Sequence, residues 1–122
     1  KFGGFDADFF FYWEDVDLCR AIEKNNYKIY LNMNAYANHI GEKSVKKNLK
    51  SFIIRKVYFK YGELIFQLKY NKLKKIKIIR EPIKFFFLMI FFSLTFQLKK
   101  AFESLCFIYA IVKFLLFFKK KG

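Results

Sequence analysis

Cysteine is scarce: Cys19 and Cys106 are the only two. They lie far apart in apolar settings, and no metal-binding or disulfide spacing links them. Their simplest role is packing in a reducing compartment. Histidine is scarcer still. His39 stands alone, so a metal centre using it would need ligands from elsewhere. Clean apolar runs of membrane-spanning length are also missing. Residues 85–96 are mostly apolar but too few, and residues 101–118 are interrupted by Glu103 and Lys113, whereas a spanning helix needs about 20 predominantly apolar residues. That pattern favours helices lying in a membrane interface over transmembrane spans. Lys1, followed by glycines and acids, does not read as a signal peptide. Acidic residues thin out after residue 41. Residues 1–41 hold six acidic and four basic side chains, and residues 42–122 hold four acidic and twenty basic.

What is present is apolar, aromatic and basic. Of 122 residues, 55% are hydrophobic and 23% aromatic, with 19 Phe and a formal net charge of +14. That argues against disorder outside the ends, and the length leaves room for one domain with a modest core. A basic excess of this size recruits a polyanion, either nucleic acid or an anionic membrane leaflet. The long Phe-rich runs suit a membrane and are not needed by a nucleic-acid binder. An AT-rich genome also produces heavy use of Lys, Asn, Ile, Phe and Tyr, with no binding role. No internal repeat is visible.

The pattern divides the chain at residue 44. Gly3 and Gly4 open a loop, and a helix is expected from about Glu14 to Asn25, with Glu14, Asp15 and Asp17 at its positive end. At 100° per residue Leu18, Cys19 and Ile22 share a face, with Asp15 projecting from its centre. Residues 27–33 alternate as a strand does, and a second extended piece is expected over 35–39. From Ser44 apolar residues recur at three- and four-residue steps, from Val45 through Leu49, Phe52, Ile53, Val57, Tyr61, Leu64 and Ile65 to Leu68. Gly62 inside this stripe suggests a break between two helices. Pro82 resets the chain after the basic segment 72–80.

The chemistry concentrates in residues 3–20, where five carboxylates stand among six aromatic residues. A carboxylate on an apolar helix face is partly desolvated, which raises its pKa, while the helix N-terminus opposes that shift. Such a group can act as a general base. The Glu14–Asp15 pair also reads as helix-capping acids, and Asp17 as a partner of Arg20 one turn on. The aromatic block 9–13 serves packing or stacking on a ligand, with Trp13 the best stacking candidate. Asp6-Ala7-Asp8 is a poor metal-holding Asp-x-Asp, because no apolar strand precedes it.

Gly-Gly-Phe-Asp, then aromatics, then Trp-Glu-Asp-Val-Asp-Leu-Cys-Arg, Tyr-Lys-Ile-Tyr, His39 and Ser44 together resemble the C-terminal half of a family 2 glycosyltransferase. The rhamnosyltransferase-like branch that builds bacterial surface polysaccharides is the nearest in pattern. The resemblance covers residues 2–44 and continues loosely to Tyr61. It implies an α/β fold: residues 1–43 as the acceptor-side end of a GT-A-type nucleotide-sugar transferase domain, and residues 44–122 as a basic, Phe-rich, amphipathic helical tail on the membrane. By the same resemblance Asp15 is the general base of an inverting transfer, beside Glu14. Gly3, Gly4, Asp6, Trp13 and Asp17 lie on the acceptor side, and His39 approaches a divalent metal, Mg or Mn, or the donor diphosphate. A nucleotide-sugar donor, a glycan or lipid-linked acceptor and the anionic cytoplasmic face of the membrane are the implied partners, with no nucleic acid. The nucleotide-binding half and its metal-holding acids would lie upstream, leaving this chain inactive alone. The rival reading is a non-enzymatic, basic, amphipathic protein of the membrane surface.

Overall fold

The computed structural model describes residues 4–38 and 48–121, with side chains as far as 118. Four helices follow the acidic aromatic loop: α1 (Glu14–Lys24), α2 (Leu49–Lys69), α3 (Lys75–Leu94) and α4 (Leu98–Lys121). The described residues contain no strand, which overturns the expected α/β, GT-A-type architecture. Residues 27–33 show the reason. They alternate correctly but are exposed along their whole length, and a strand without a neighbour has no ladder of hydrogen bonds to hold it.

The helix ends follow from local chemistry. Asn48 caps α2 through a reciprocal box: its side chain accepts from the Ser51 amide (2.8 Å), and its own amide donates to Ser51 Oγ (3.2 Å). At their C-termini α1, α2 and α3 turn through a left-handed residue, Asn26, Asn71 and Phe96 in turn. In each, the following amide reaches back to the third-last helical carbonyl: Tyr27 to Ile22 (3.2 Å), Lys72 to Gln67 (2.7 Å) and Gln97 to Phe92 (2.8 Å). This is the Schellman closure, made twice with Asn and once with Phe rather than with Gly.

Two interruptions expected from the sequence do not occur. Helix α2 runs unbroken through Gly62 because a partner occupies the space of the missing Cβ; a Cβ there would meet the Trp13 indole at 3.0 Å. Pro82 lies inside α3, and the helix continues although the Ile78 carbonyl loses its usual amide donor there.

The core forms where α2 and α4 run side by side in the same direction. Val57, Tyr61, Leu64, Ile65 and Phe66 of α2 meet Cys106, Ala110, Ile111 and Phe114 of α4, and Phe9 from the acidic loop joins them. The middle of the stripe read from the sequence on α2, Val57, Tyr61, Leu64 and Ile65, lies on this buried face, whereas Leu49 is exposed and Val45 lies outside the described residues. Ring pairs mark the alignment: Phe52 with Phe102, and Tyr61 with Phe114 and Phe117. Helix α3 returns antiparallel to α4, Phe85 lying edge-on to Phe107. A charged seam joins α3 to α2: Lys60 pairs with Glu63 (2.8 Å) and Glu81 (2.5 Å), and Lys77 pairs with Glu63 (2.9 Å). Lys60 is buried, so its two carboxylates offset the cost of removing an ammonium from water.

Candidate functional site

The acidic aromatic loop is anchored to α2 by rings. Phe10 packs on Tyr58 (4.8 Å between centroids), Tyr12 lies edge-on to Phe59 (5.6 Å), and Trp13 sits between Phe59 (6.0 Å) and Phe66 (5.3 Å). Trp13 Nε1 also donates to the Phe59 carbonyl (3.0 Å). Tyr12 and Trp13 both have positive φ, 67° and 71°, a conformation that costs a bulky residue energy and persists only when its surroundings impose it. Here the imposing contacts are the Gly62 notch and the two Phe rings. Trp13 is therefore a packing anchor that aims the start of α1, and its indole is already occupied by protein.

The five carboxylates divide into distinct environments. Asp6 closes the loop, its Oδ1 accepting from the Asp8 amide (2.9 Å). Its Oδ2 accepts from Lys69 Nζ at 2.6 Å, and the same ammonium reaches Asp17 Oδ2 at 2.8 Å. Tyr70 donates to Asp17 Oδ1 (3.0 Å). Partial burial works against the charge on Lys69, but hydrogen bonds to Asp17 and then Asp6 outweigh it and hold the ammonium far above its ordinary pKa. Burial, then the hydrogen bond to Asp17, pushes the Tyr70 phenol up. Asp8 lies near enough to Tyr61 to reinforce the upward push that burial gives that phenol.

Asp17, not Asp15, is the buried acid of α1, at 3% exposure. The helix turns Glu14, Asp17, Leu18 and Ala21 toward the rest of the molecule and leaves Asp15, Val16 and Cys19 exposed. The apolar-face reading of Asp15 missed this because the cation that draws Asp17 inward, Lys69, is 52 residues away in sequence. Asp15 is instead an exposed carboxylate at the helix start, its Oδ1 accepting from the Val16 amide (2.8 Å). Glu14 differs again: its Oε2 is buried and has no hydrogen-bond partner among the described residues. Arg20 pairs with Glu23 at 3.0 Å rather than with Asp17.

Gly4 has φ 77° and open space about its Cβ position, so it supplies a turn that other residues enter only at a cost. Gly3 and His39 lie outside the described residues. Among the described residues no group of three or more His, Cys, Asp or Glu is placed to hold a metal ion. Beside the loop, a groove of about 530 Å³ runs between α2 and α4, lined by Tyr12, Phe59, Lys56, Lys99, Glu103 and Phe107 among others. Lys56 and Glu103 face each other across it at 2.7 Å. The volume is of the size that holds small ligands. Sequence reasoning missed Lys69 and Tyr70 entirely, and the one visible signal for the Trp13 notch was a glycine inside an otherwise unbroken apolar stripe.

Away from this site, the outer faces of α3 and α4 are apolar. Ile79, Ile83, Phe87, Phe91 and Leu94 on α3 and Leu105, Tyr109, Val112 and Leu116 on α4 are all exposed. Leu98–Phe118 is long and apolar enough to cross a membrane, and one-third (33%) of its most apolar window is buried against protein. Comparison with known proteins finds no matching family model, no matching curated protein and no matching solved structure.

Proposed function

We propose that the chain forms the acceptor side of an inverting glycosyltransferase that uses a nucleotide-sugar donor. In this reading it works at the cytoplasmic face of a membrane on a glycan or lipid-linked acceptor. The observation that carries the reading is the sorting of the carboxylates. Lys69 pairs with both Asp6 and Asp17, whereas no ion pair to Glu14 or Asp15 occurs among the described residues. The Tyr12–Trp13 turn leads directly into the start of α1, where these two acids stand, and Tyr12 itself lines the α2–α4 groove.

The chemistry assigned to them is simple. Asp15 accepts the proton of an acceptor hydroxyl while that oxygen attacks the anomeric carbon, and the nucleoside diphosphate leaves from the opposite face with the electron pair of the broken bond. Glu14, the neighbouring acid of the pair at the helix start, is assigned a supporting role beside Asp15; its Oε2 is buried, so any contact with the acceptor falls to its other oxygen. The described residues supply no donor site, and none of these steps is assigned to a metal. The test is Asp15→Asn in the full-length protein, assayed for sugar transfer to a membrane-derived acceptor. The expected loss is about 100-fold or more, and near-normal transfer by a correctly folded variant would remove Asp15 as the base.

The exposed apolar faces of α3 and α4 favour the membrane setting and also sustain a second reading, a membrane-surface protein without catalysis. Glu103 and Lys113 are turned inward, to Lys56 (2.7 Å) and to the Tyr58 hydroxyl (2.8 Å). One side of α4 is thus held by protein while the other is left apolar, which suits a helix pair lying in the interface. Under this second reading Asp15→Asn and Glu14→Gln change nothing that can be measured beyond stability.

A further inference from the structure

The corner where α2 turns into α3 is electrostatically one-sided. A cleft of about 470 Å³ there is lined by Gln67, Lys72, Lys74, Ile76, Lys77 and Arg80. Four of these six residues are cationic and none is acidic. Lys77 is compensated by Glu63 (2.9 Å) and Glu81 (3.5 Å). Lys72, Lys74 and Arg80 are exposed and enter no salt bridge among the described residues.

The same corner is the positive end of a 20-residue helix. Lys74 occupies the N-cap of α3 without a side-chain capping bond, and the first turn contains no acid. Sequences ordinarily place Asp or Glu at that end and keep Lys away from it, because the helix dipole repels a cation there. Here the dipole and the cations of Lys72, Lys74 and Arg80 add, and the nearby acids, Glu63 and Glu81, are paired with Lys77 and Lys60. An anion with several oxygen acceptors relieves both at once.

The surroundings say what carries that anion. Ile76 in the cleft wall is exposed, and Ile79, Ile83 and Phe87 continue an exposed apolar line along α3 away from it. A polar anion joined to a hydrocarbon chain matches both halves of this surface; a free anion or a nucleic-acid backbone leaves the apolar half uncovered.

We propose that the α2–α3 corner binds the phosphate of an anionic membrane lipid, with the lipid chains lying along the apolar face of α3. This rests on the membrane setting of the functional reading, not on the catalytic role of Asp15. It adds a defined contact point that fixes how the molecule sits on the bilayer.

The experiment measures binding of the full chain to phosphatidylcholine vesicles containing phosphatidic acid or phosphatidylglycerol, with inorganic phosphate and pyrophosphate as soluble competitors. Two triple variants of equal charge are compared: Lys72→Gln/Lys74→Gln/Arg80→Gln in the cleft, and Lys28→Gln/Lys50→Gln/Lys84→Gln elsewhere on the surface. Three cations removed at a true contact weaken binding by about 100-fold, and the control triple weakens it at least tenfold less. Circular dichroism and the unfolding midpoint of the cleft triple should match the parent, and the single variant Lys74→Gln carries the same comparison with minimal change to the protein. Equal losses from the two triples overturn the cleft while leaving membrane binding intact. Failure to bind any vesicle overturns the membrane setting with it. Saturable pyrophosphate binding that the cleft triple abolishes, with no vesicle binding, overturns the lipid assignment in favour of a soluble phosphate compound.

Discussion

The Trp13 indole fills the notch that Gly62 leaves in α2. A Cβ at position 62 would stand 3.0 Å from Trp13 Cδ1 and 3.3 Å from the Tyr12 carbonyl oxygen. One glycine thus lets an acidic loop dock against a helix 46 residues further on, with the Trp13 Nε1 bond to the Phe59 carbonyl closing the contact.

Substitution at that notch should reverse the usual helix preference. Gly→Ala in a helix interior ordinarily stabilises by about 1 kcal/mol, but Gly62→Ala should give no gain and Gly62→Val should lose about 2 kcal/mol by overpacking. Both should red-shift the emission of the single tryptophan. A stabilised Gly62→Ala variant with unchanged emission would show that the indole does not sit there.

The acids of α1 should separate by stability. Asp17→Ala leaves the Tyr70 hydroxyl without its carboxylate and Lys69 with Asp6 alone, and should cost about 2 kcal/mol after allowance for the part-exposed ammonium. Asp15→Ala should change stability by less than about 0.5 kcal/mol. Denaturant midpoints of the two variants give the comparison, and equal losses would undo the division between a structural Asp17 and an available Asp15.

Stability should fall at both ends of the pH range. Burial alone would raise the Glu63 pKa, but hydrogen bonds from Lys60 and Lys77 outweigh it and hold the group below its ordinary value of 4.5. Its contribution is therefore complete above that value and is lost as pH falls through the lowered folded pKa. Lys69 is shifted upward, so its contribution is complete below its ordinary 10.5 and is lost as pH rises further. Unfolding midpoints should be flat between roughly pH 6 and 9, and Glu63→Gln should flatten the acid limb. An acid limb identical in the variant would assign it to other carboxylates.

The α3–α4 turn carries removable strain. Phe96 has φ 55° and is 89% exposed, so its ring gains little from burial while its backbone occupies a region that suits glycine. Phe96→Gly should stabilise the protein in detergent-free solution by about 1 kcal/mol. It should also weaken vesicle association if the exposed ring inserts into lipid. A destabilised Phe96→Gly in thermal unfolding would show that the ring is packed.

Much of the helical architecture is determined by the sequence alone. Acids in its first turn and Asn25-Asn26 at its end delimit α1, and the stripe from Val57 to Ile65 marks the buried face of α2, because both depend on residues a few positions apart. Features that depend on distant partners were decided only by the tertiary structure. Residues 27–33 carry a strand's alternation, but alternation cannot supply a neighbouring strand. Gly62 looks like a break until Trp13 fills it. Asp15 reads from the sequence as the acid of the apolar face and Asp17 as a partner of Arg20, yet Asp17 is the buried one, because the cation it meets, Lys69, comes from the far end of α2. The sequence thus determines which acids stand at the start of that helix, and tertiary packing decides which of them is buried against a lysine.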